Sequence, residues 1–465
     1  MHVRTKSALS PSALALSVMV ALAAPGLAAA DEKREAALEQ RVNDLERQLR
    51  ELMAEVKAQR NAPPQVVQAP ASAPAAPAPA TGAKEAPPVF TTAPGISVAL
   101  HGFVSATAFS QNKSFTFGNG QNAEFPVPGS TGNLSGVDIR NTRFWLDFTG
   151  ARFNDDWGGG GRIEMDFFGG FNGTGGFSAS QAVPRLRQAY MDIANDSGTK
   201  FRVGQQWDLM FPIDSLPVSL SHIAFPLGYG TGIVGWRFPG VAWLQDLNHG
   251  TSGAKWQFGL GAYSGSWNGP GNNVNFLSGA NADFRPQIEA RLRVEDKGWM
   301  AFAAAHYSDV DLNGVDGSAA APVKSSVKST GFEVGGVWKP GPWTLKGLVY
   351  TGSGLGEIFG NLAQFGDIDD TGGYVQAGYN FTKNWSINAF YAMSKSDRND
   401  VIRWLDNGST GLVKNRQGAL SLIYASGPYQ LGLEWIHSTL DSTNADLVDK
   451  TTSGNQLNLS ALYTF

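Results

Sequence analysis

The sequence predicts an all-β protein, a 16-stranded antiparallel transmembrane β-barrel, preceded by a short N-terminal α-helical coiled coil. Three observations lead there. From residue 96 to the C-terminus, apolar and polar residues alternate with a period of two, which sorts them onto the two faces of strands rather than around helices. The connections between these segments alternate between tight and long. Charged residues are only 16% of the 465, against roughly 25% in an ordinary soluble domain, yet beyond the N-terminus no run of about 18 apolar residues offers a spanning helix.

Composition excludes several chemistries. With no cysteine there is no disulfide framework, no Cys-ligated zinc and no thiol nucleophile. A formal net charge of −4 gives no footprint for nucleic acid, which is not expected as a partner.

Residues 1–30 read as a signal peptide: Arg4 and Lys6 form a basic start, residues 14–24 an apolar stretch, and Ala28, Ala29 and Ala30 a small-residue cleavage site. In residues 31–60, Leu38, Val42, Leu45, Leu49, Leu52 and Val56 are spaced alternately by four and three, the seam of a left-handed coiled coil. The spacing leaves the number of helices open. Residues 61–95 interleave nine prolines with alanine and read as a semi-rigid extended spacer.

The barrel is expected over 96–465, with strands near 97–111, 137–150, 160–168, 185–195, 199–209, 232–246, 254–264, 283–295, 298–309, 329–339, 342–353, 372–382, 384–396, 415–425, 428–440 and 453–465. Tight turns near 195–198, 295–298, 339–342, 380–384 and 425–428 alternate with long connections at 210–231, 265–282, 309–328, 354–371 and 397–414. Short turns on one rim and long loops on the other are the pattern of an up-and-down barrel in an outer membrane. One parity is apolar, as in Phe332, Val334 and Trp338 or Leu431, Leu433 and Trp435, with aromatics near strand ends where an interfacial girdle belongs. That face meets lipid, so outer-membrane lipid and lipopolysaccharide are expected neighbours.

The other parity faces the lumen and carries Arg143 and Asp147; Arg162, Glu164 and Asp166; Arg202, Gln206 and Asp208; Arg237; Arg285, Glu289, Arg291 and Arg293; Glu333; and Lys346. Arg185 and Arg187 are ambiguous, because either Leu186 and Tyr190 or Ala189, Met191 and Ile193 can face outward. Guanidinium stays charged and pairs bidentately with carboxylates, so arginines along a pore favour anions over a weakly selective passage. The apolar loop 210–231 is expected to fold inward and narrow the channel, with a surface cap as the other reading.

The segments around His101, Gly102 and Phe103, residues 161–169, Arg185 to Tyr190, and Gly204 to Trp207, behind a signal peptide, coiled coil and Pro/Ala spacer, resemble the DcaP-like outer-membrane porins. The resemblance spans nearly the whole mature chain. It implies a homotrimer in a Gram-negative outer membrane, with a periplasmic coiled coil, that takes up small organic anions such as dicarboxylates. Arg162, Arg187 and Arg202 lie inside the matching segments.

Catalytic signals are weak. The six histidines form no HExxH or ligand cluster. Residues 325–328 match S-x-x-K without its partner motifs, and residues 309–314 begin like a calcium loop whose closing Glu is replaced by Ala320. No catalytic residue, metal or cofactor is expected. A passive pore is the reading, with a barrel enzyme or a structural envelope tether as the alternatives from other classes.

Overall fold

The computed structural model describes Arg47 and residues 89–93, 95–116, 120–170, 182–249, 251–265, 285–311 and 323–465. The signal peptide, the coiled coil and most of the spacer lie outside the described residues. The chain divides into two compact units, Met1–Ala73 and Pro74–Phe465. The second contains the barrel.

Its strands are β1 Val89–Ala93, β2 Ile96–Gln111, β3 Leu134–Asp138, β4 Arg143–Arg152, β5 Trp157–Asp166, β6 Arg185–Asn195, β7 Thr199–Trp207, β8 Arg237–Asp246, β9 Lys255–Tyr263, β10 Gln287–Asp296, β11 Trp299–Asp311, β12 Ser326–Trp338, β13 Trp343–Ser353, β14 Asp369–Asn380, β15 Trp385–Ser396, β16 Leu412–Ser426, β17 Tyr429–Ser442 and β18 Lys450–Thr464. A short helix, α1, spans Arg398–Arg403, capped by the Asp397 carboxylate, which accepts from the Asn399 and Asp400 N–H groups. From β4 to β18 every strand pairs antiparallel with its chain neighbour, and β18 closes the ring on β2 through Phe103 to Gln111. β3 and β4 pair successive stretches of the same strand, β2, so together they fill one barrel position. The closed wall therefore has sixteen positions, as the alternation predicts.

One difference is at the entrance. Val89–Ala93, inside the segment read as spacer, pairs with residues 96–99 of β2 on the edge that β18, which ends opposite Phe103, leaves free. The reason is local. Val89, Phe90, Thr91 and Thr92 are aromatic or β-branched strand formers placed directly after the last proline pair.

The wall is apolar outside and polar inside. Val349, Val375, Leu433, Leu459 and Tyr429 are 47–61% exposed, while Glu333, Gln376, Gln417, Glu434 and Asn458 on the opposite parity are buried. Apolar core nevertheless exists, because the connections after β7 and β13 fold into the lumen. Met210, Phe211, Leu227, Tyr229, Ile233, Leu355 and Ile358 form one buried cluster with the wall residues Phe302, Tyr350 and Phe390.

Candidate functional site

Across β4–β7 the lumen wall carries a ladder of ion pairs, arranged by strand register. Arg143, Asp166 and Arg185 lie in one row of cross-strand partners; Asp147, Arg162, Tyr190 and Gly204 in a second; Asp192 and Arg202 in a third. The first and third rows are separated by about 20 Å of strand. In the first row Arg185 binds Asp166 bidentately at 3.0 and 2.7 Å, and Arg187 reaches Glu164 at 2.5 Å and Asp166 at 2.7 Å. Arg143 stands 3.9 Å from Glu164. In the second, Arg162 grips Asp147 at 2.7 and 2.9 Å over the Trp145 ring. In the third, Arg202 grips Asp192 at 2.7 and 2.8 Å with its guanidinium 3.8 Å from the Tyr190 ring. Paired guanidiniums of this kind are held extended, which fixes where their positive charge sits.

A β-bulge resolves the parity of β6. Glu164 pairs with Gln188 but Met165 pairs with Leu186, so Arg187 is an extra residue on its strand. Alternation flips across it. Leu186 faces outward on one side of the bulge and Met191 on the other, 45% and 55% exposed, while Arg185, Arg187, Gln188 and Asp192 all make lumen-side bonds. Each of the two readings of this strand thus describes one half of it. The Gln205 amide donates to the carbonyls of Leu186 and Arg187, at 3.2 and 2.9 Å, satisfying backbone that the bulge leaves unpaired.

Arg237 joins this group through aromatic rings. Its guanidinium lies 4.1 Å from the Trp236 ring and 4.8 Å from Trp207, which also lies under Arg187 at 5.6 Å. Arg185 faces Phe168, Phe225 and Trp236. Arg237 is 6% exposed, and its Nε and Nη1 have no hydrogen-bond partner among the described residues; the same holds for Arg143 Nε and Nη2. The site therefore keeps unspent donors.

Opposite the ladder lies the loop 208–236, fastened at its root and along its length. The Asp208 carboxylate accepts from Phe211 N and Trp236 N at 2.7 and 3.0 Å, and Glu289 from Leu209 N and Met210 N at 2.7 and 3.2 Å. Gly235, at φ 100°, closes the root where a Cβ would come within 2.6 Å of Phe211 N. Further on, Lys346 donates to Leu216 O, Gln376 exchanges bonds with Val218, Ser219 donates to Glu434, Gln417 accepts from Gly228 N, and Asn415 donates to Thr231. These partners come from β13, β14, β16 and β17, so the loop crosses the barrel, as its apolar composition suggests. Phe359 of the connection after β13 packs at a tilt against Tyr229 and Trp236, and Gly235 N donates to Ile358 O.

The remaining sequence-predicted residues fall elsewhere. Arg291 and Arg293 line β10 and pair with Asp214 of the loop at 3.4 and 3.0 Å. Arg285 precedes β10, and its ion pair is with Asp309, on the outward parity of β11. It is set apart from the ladder. Asp192 and Lys200 were missed; both share the lumen parity with Arg202, and for Asp192 the bulge is what hides it. Also missed is His306, whose Nδ1 lies 2.9 Å from Glu289 and whose Nε2 lies 3.3 Å from Glu357, joining the root of one inward loop to the other.

Two Ser/His/Glu groupings lie inside among the described residues. In one, His306 joins Ser329 at 3.1 Å to Glu289 at 2.9 Å, with all three residues buried. The other, Ser221, His222 and Glu434, is not arranged for nucleophilic catalysis. His222 Nδ1 meets Ser221 at 2.9 Å, its Nε2 is taken by the Ala123 carbonyl at 3.1 Å, and all three residues are buried. It is a loop tether. Among the described residues no His/Cys/Asp/Glu group is arranged to hold a metal.

A closed sixteen-position barrel, apolar outside, charged inside and narrowed by an inward loop, defines the class of outer-membrane channel proteins. The chain belongs to the Gram-negative porin family, whose profile matches residues 67–399. Among solved structures it is similar to the outer-membrane channel DcaP of Acinetobacter baumannii, at 20% identity and TM-score 0.62, over 82% of this chain and 100% of that one. It is also similar to outer-membrane expressed OmpT of Vibrio cholerae, at 13% identity and TM-score 0.50, over 81% and 100% of the two chains. Salmonella typhi OmpF, in a complex with daunomycin, gives 14% identity and TM-score 0.50 over 81% and 100%. No curated protein matches by sequence. The shared barrel accords with the resemblance noted from the motifs, and family and fold point to an outer-membrane porin, a channel rather than an enzyme.

Proposed function

We propose that this porin is a passive channel favouring small organic anions, dicarboxylates among them, and that it works as a homotrimer. The observation that carries the reading is the charge excess of the ladder. Six guanidiniums, of Arg143, Arg162, Arg185, Arg187, Arg202 and Arg237, stand against Asp147, Glu164, Asp166 and Asp192, and the nearby Asp208 spends both oxygens on backbone N–H groups. Even with Asp208 counted, the ladder is net positive. A carboxylate entering from the long-loop rim meets the field of the Arg143, Arg185 and Arg237 end of the ladder first, then the more exposed Arg162 and Arg202 rows. The carboxylates beside them keep each step shallow, so the solute is recruited yet released.

Reversal potential in a planar bilayer under a KCl gradient tests this. The wild-type pore should favour chloride, Arg143→Ala with Arg237→Ala should lower that preference, and Arg162→Ala with Arg202→Ala should weaken transient block by succinate. A cation-selective wild-type pore sinks the reading. Light scattering of the full chain, with and without residues 31–60, tests the trimer and the part the coiled coil plays in it.

A further inference from the structure

We propose that His101 is a specificity-determining residue of the pore: its protonation sets the net charge of the second row of the ladder, so the preference for anions rises as the pH falls through the ordinary histidine range. The assignment rests on the ladder being the anion path and names what regulates it.

His101 lies on the lumen parity of β2. Ser105 and Thr107, on the same parity, take bonds from Gln121 inside the barrel, while Val104, on the other, is 53% exposed on the outer wall. The cross-strand partner of His101 is Trp145 of β4, on which the imidazole stacks at 5.4 Å and 12°. The same ring carries the Arg162 guanidinium at 5.5 Å. One carboxylate serves both groups: Asp147 Oδ2 accepts from Arg162 Nη2 at 2.9 Å and stands 3.5 Å from His101 Nε2. The side chains of His101, Asp147 and Arg162 are 29%, 26% and 24% exposed, so lumen water can deliver and remove the proton.

With a neutral imidazole the row counts to zero, since Asp147 cancels Arg162. With His101 protonated it counts to plus one, because the same carboxylate now answers two cations. The other rows lack this freedom. Glu164 and Asp166 in the first face guanidiniums, and Asp192 in the third faces Arg202, all groups that hold their charge across neutral pH. The charged and titratable groups around His101 are Arg143 and Asp147 on β4, Arg162 and Glu164 on β5, and Tyr190 on β6. The terminal residue Phe465 bonds to the adjacent Gly102, and β1, paired with residues 96–99, carries no titratable side chain. Histidine is the side chain whose ordinary titration falls between about pH 5 and pH 8. Of the other described histidines, His222 and His306 are buried in loop contacts, His437 is held by Asn455 and Thr439, and His249 sits at an exposed turn.

The test is reversal potential of the full-chain pore in a planar bilayer under a KCl gradient, at about pH 8 and about pH 5.5. A unit charge gained about 6 Å from a passing ion in water changes the local ion concentration about threefold, and less once salt screens it. The chloride-to-potassium permeability ratio of the wild type should therefore rise about two- to threefold at the lower pH. His101→Gln should abolish the rise, His101→Arg should hold the ratio high at both values, and His249→Gln should behave as wild type. Heat-modifiability on SDS gels confirms that each variant is folded. A wild-type ratio that ignores pH, a rise that persists in His101→Gln, or Gln and Arg variants that behave alike overturns the assignment. A wild-type pore that is cation-selective at both values, yet shifts toward chloride only with His101 intact, sinks the anion reading and upholds the switch.

Discussion

The C-terminal residue Phe465 and Gly102 of β2 exchange two backbone hydrogen bonds, Gly102 N to Phe465 O at 3.1 Å and Phe465 N to Gly102 O at 3.0 Å. The terminal ring lies over residue 102, where an added Cβ would come 2.5 Å from the ring and 2.7 Å from Arg143 O. Gly102→Val therefore pushes the last residue off the closing strand at the seam of the barrel. The expected cost is about 1–3 kcal/mol, visible as a lower temperature for losing the compact band on SDS gels. An unchanged transition would show that closure does not depend on this contact.

Gly235 and Asp208 hold the root of the inward loop. Gly235→Ala combines a left-handed φ with a clash at Phe211 N, so the Asp208 bond to that N–H should fail. Single-channel recordings should show larger and noisier current than the wild type, with the barrel itself still folded. A quiet, wild-type trace would mean that the bonds further along the loop suffice.

His306 bridges two buried carboxylates, one beside each inward loop. His306→Ala leaves Glu289 and Glu357 buried without it, and breaking a buried charged network costs about 3–5 kcal/mol. Urea unfolding of the refolded barrel should shift by an amount of that order, and the open-channel noise should rise. His306→Gln, which keeps one donor, should fall between.

Asp367, in the connection after β13, docks α1. Burial alone raises its carboxyl, but the bonds from Lys324 and from Trp404 Nε1 and the Arg403 guanidinium outweigh burial and hold it below the usual value. A lowered carboxyl stabilises the fold above its unfolded pKa, about 3.9, and that contribution is lost as pH falls through the lower folded value. Protection of residues 397–411 against hydrogen exchange, taken relative to the intrinsic rate at each pH, should be high at neutral pH and fall below about pH 4. In Asp367→Asn the protection should be low and much less dependent on pH.

Strands were legible because each satisfies two solvents at once, which writes period two into residues such as 385–395 and 429–435. The lumen parity of Arg143, Arg162 and Arg202 followed directly. Their partners did not, because Asp147 and Arg162 meet through strand register and Asp192 through a bulge that alternation alone does not reveal. The inward path of loop 208–236 was signalled by its apolar residues, but its bonds to Gln376, Gln417 and Glu434 join positions more than 150 residues apart. His306 gave no signal, since an inward histidine on an alternating strand looks like any other lumen residue.

The extra residue at Arg187 lets β6 turn two adjacent side chains, Arg187 and Gln188, to the lumen, which a regular strand cannot do. Replacing Arg187 removes a charge and leaves the frame intact. Deleting it would restore regular pairing with Glu164, Met165 and Asp166 keeping their partners, so Leu186 would stay outward and Arg185 inward, and what would go is the guanidinium shared by Glu164 and Asp166. At this position the strand carries a surplus letter that serves charge and not frame.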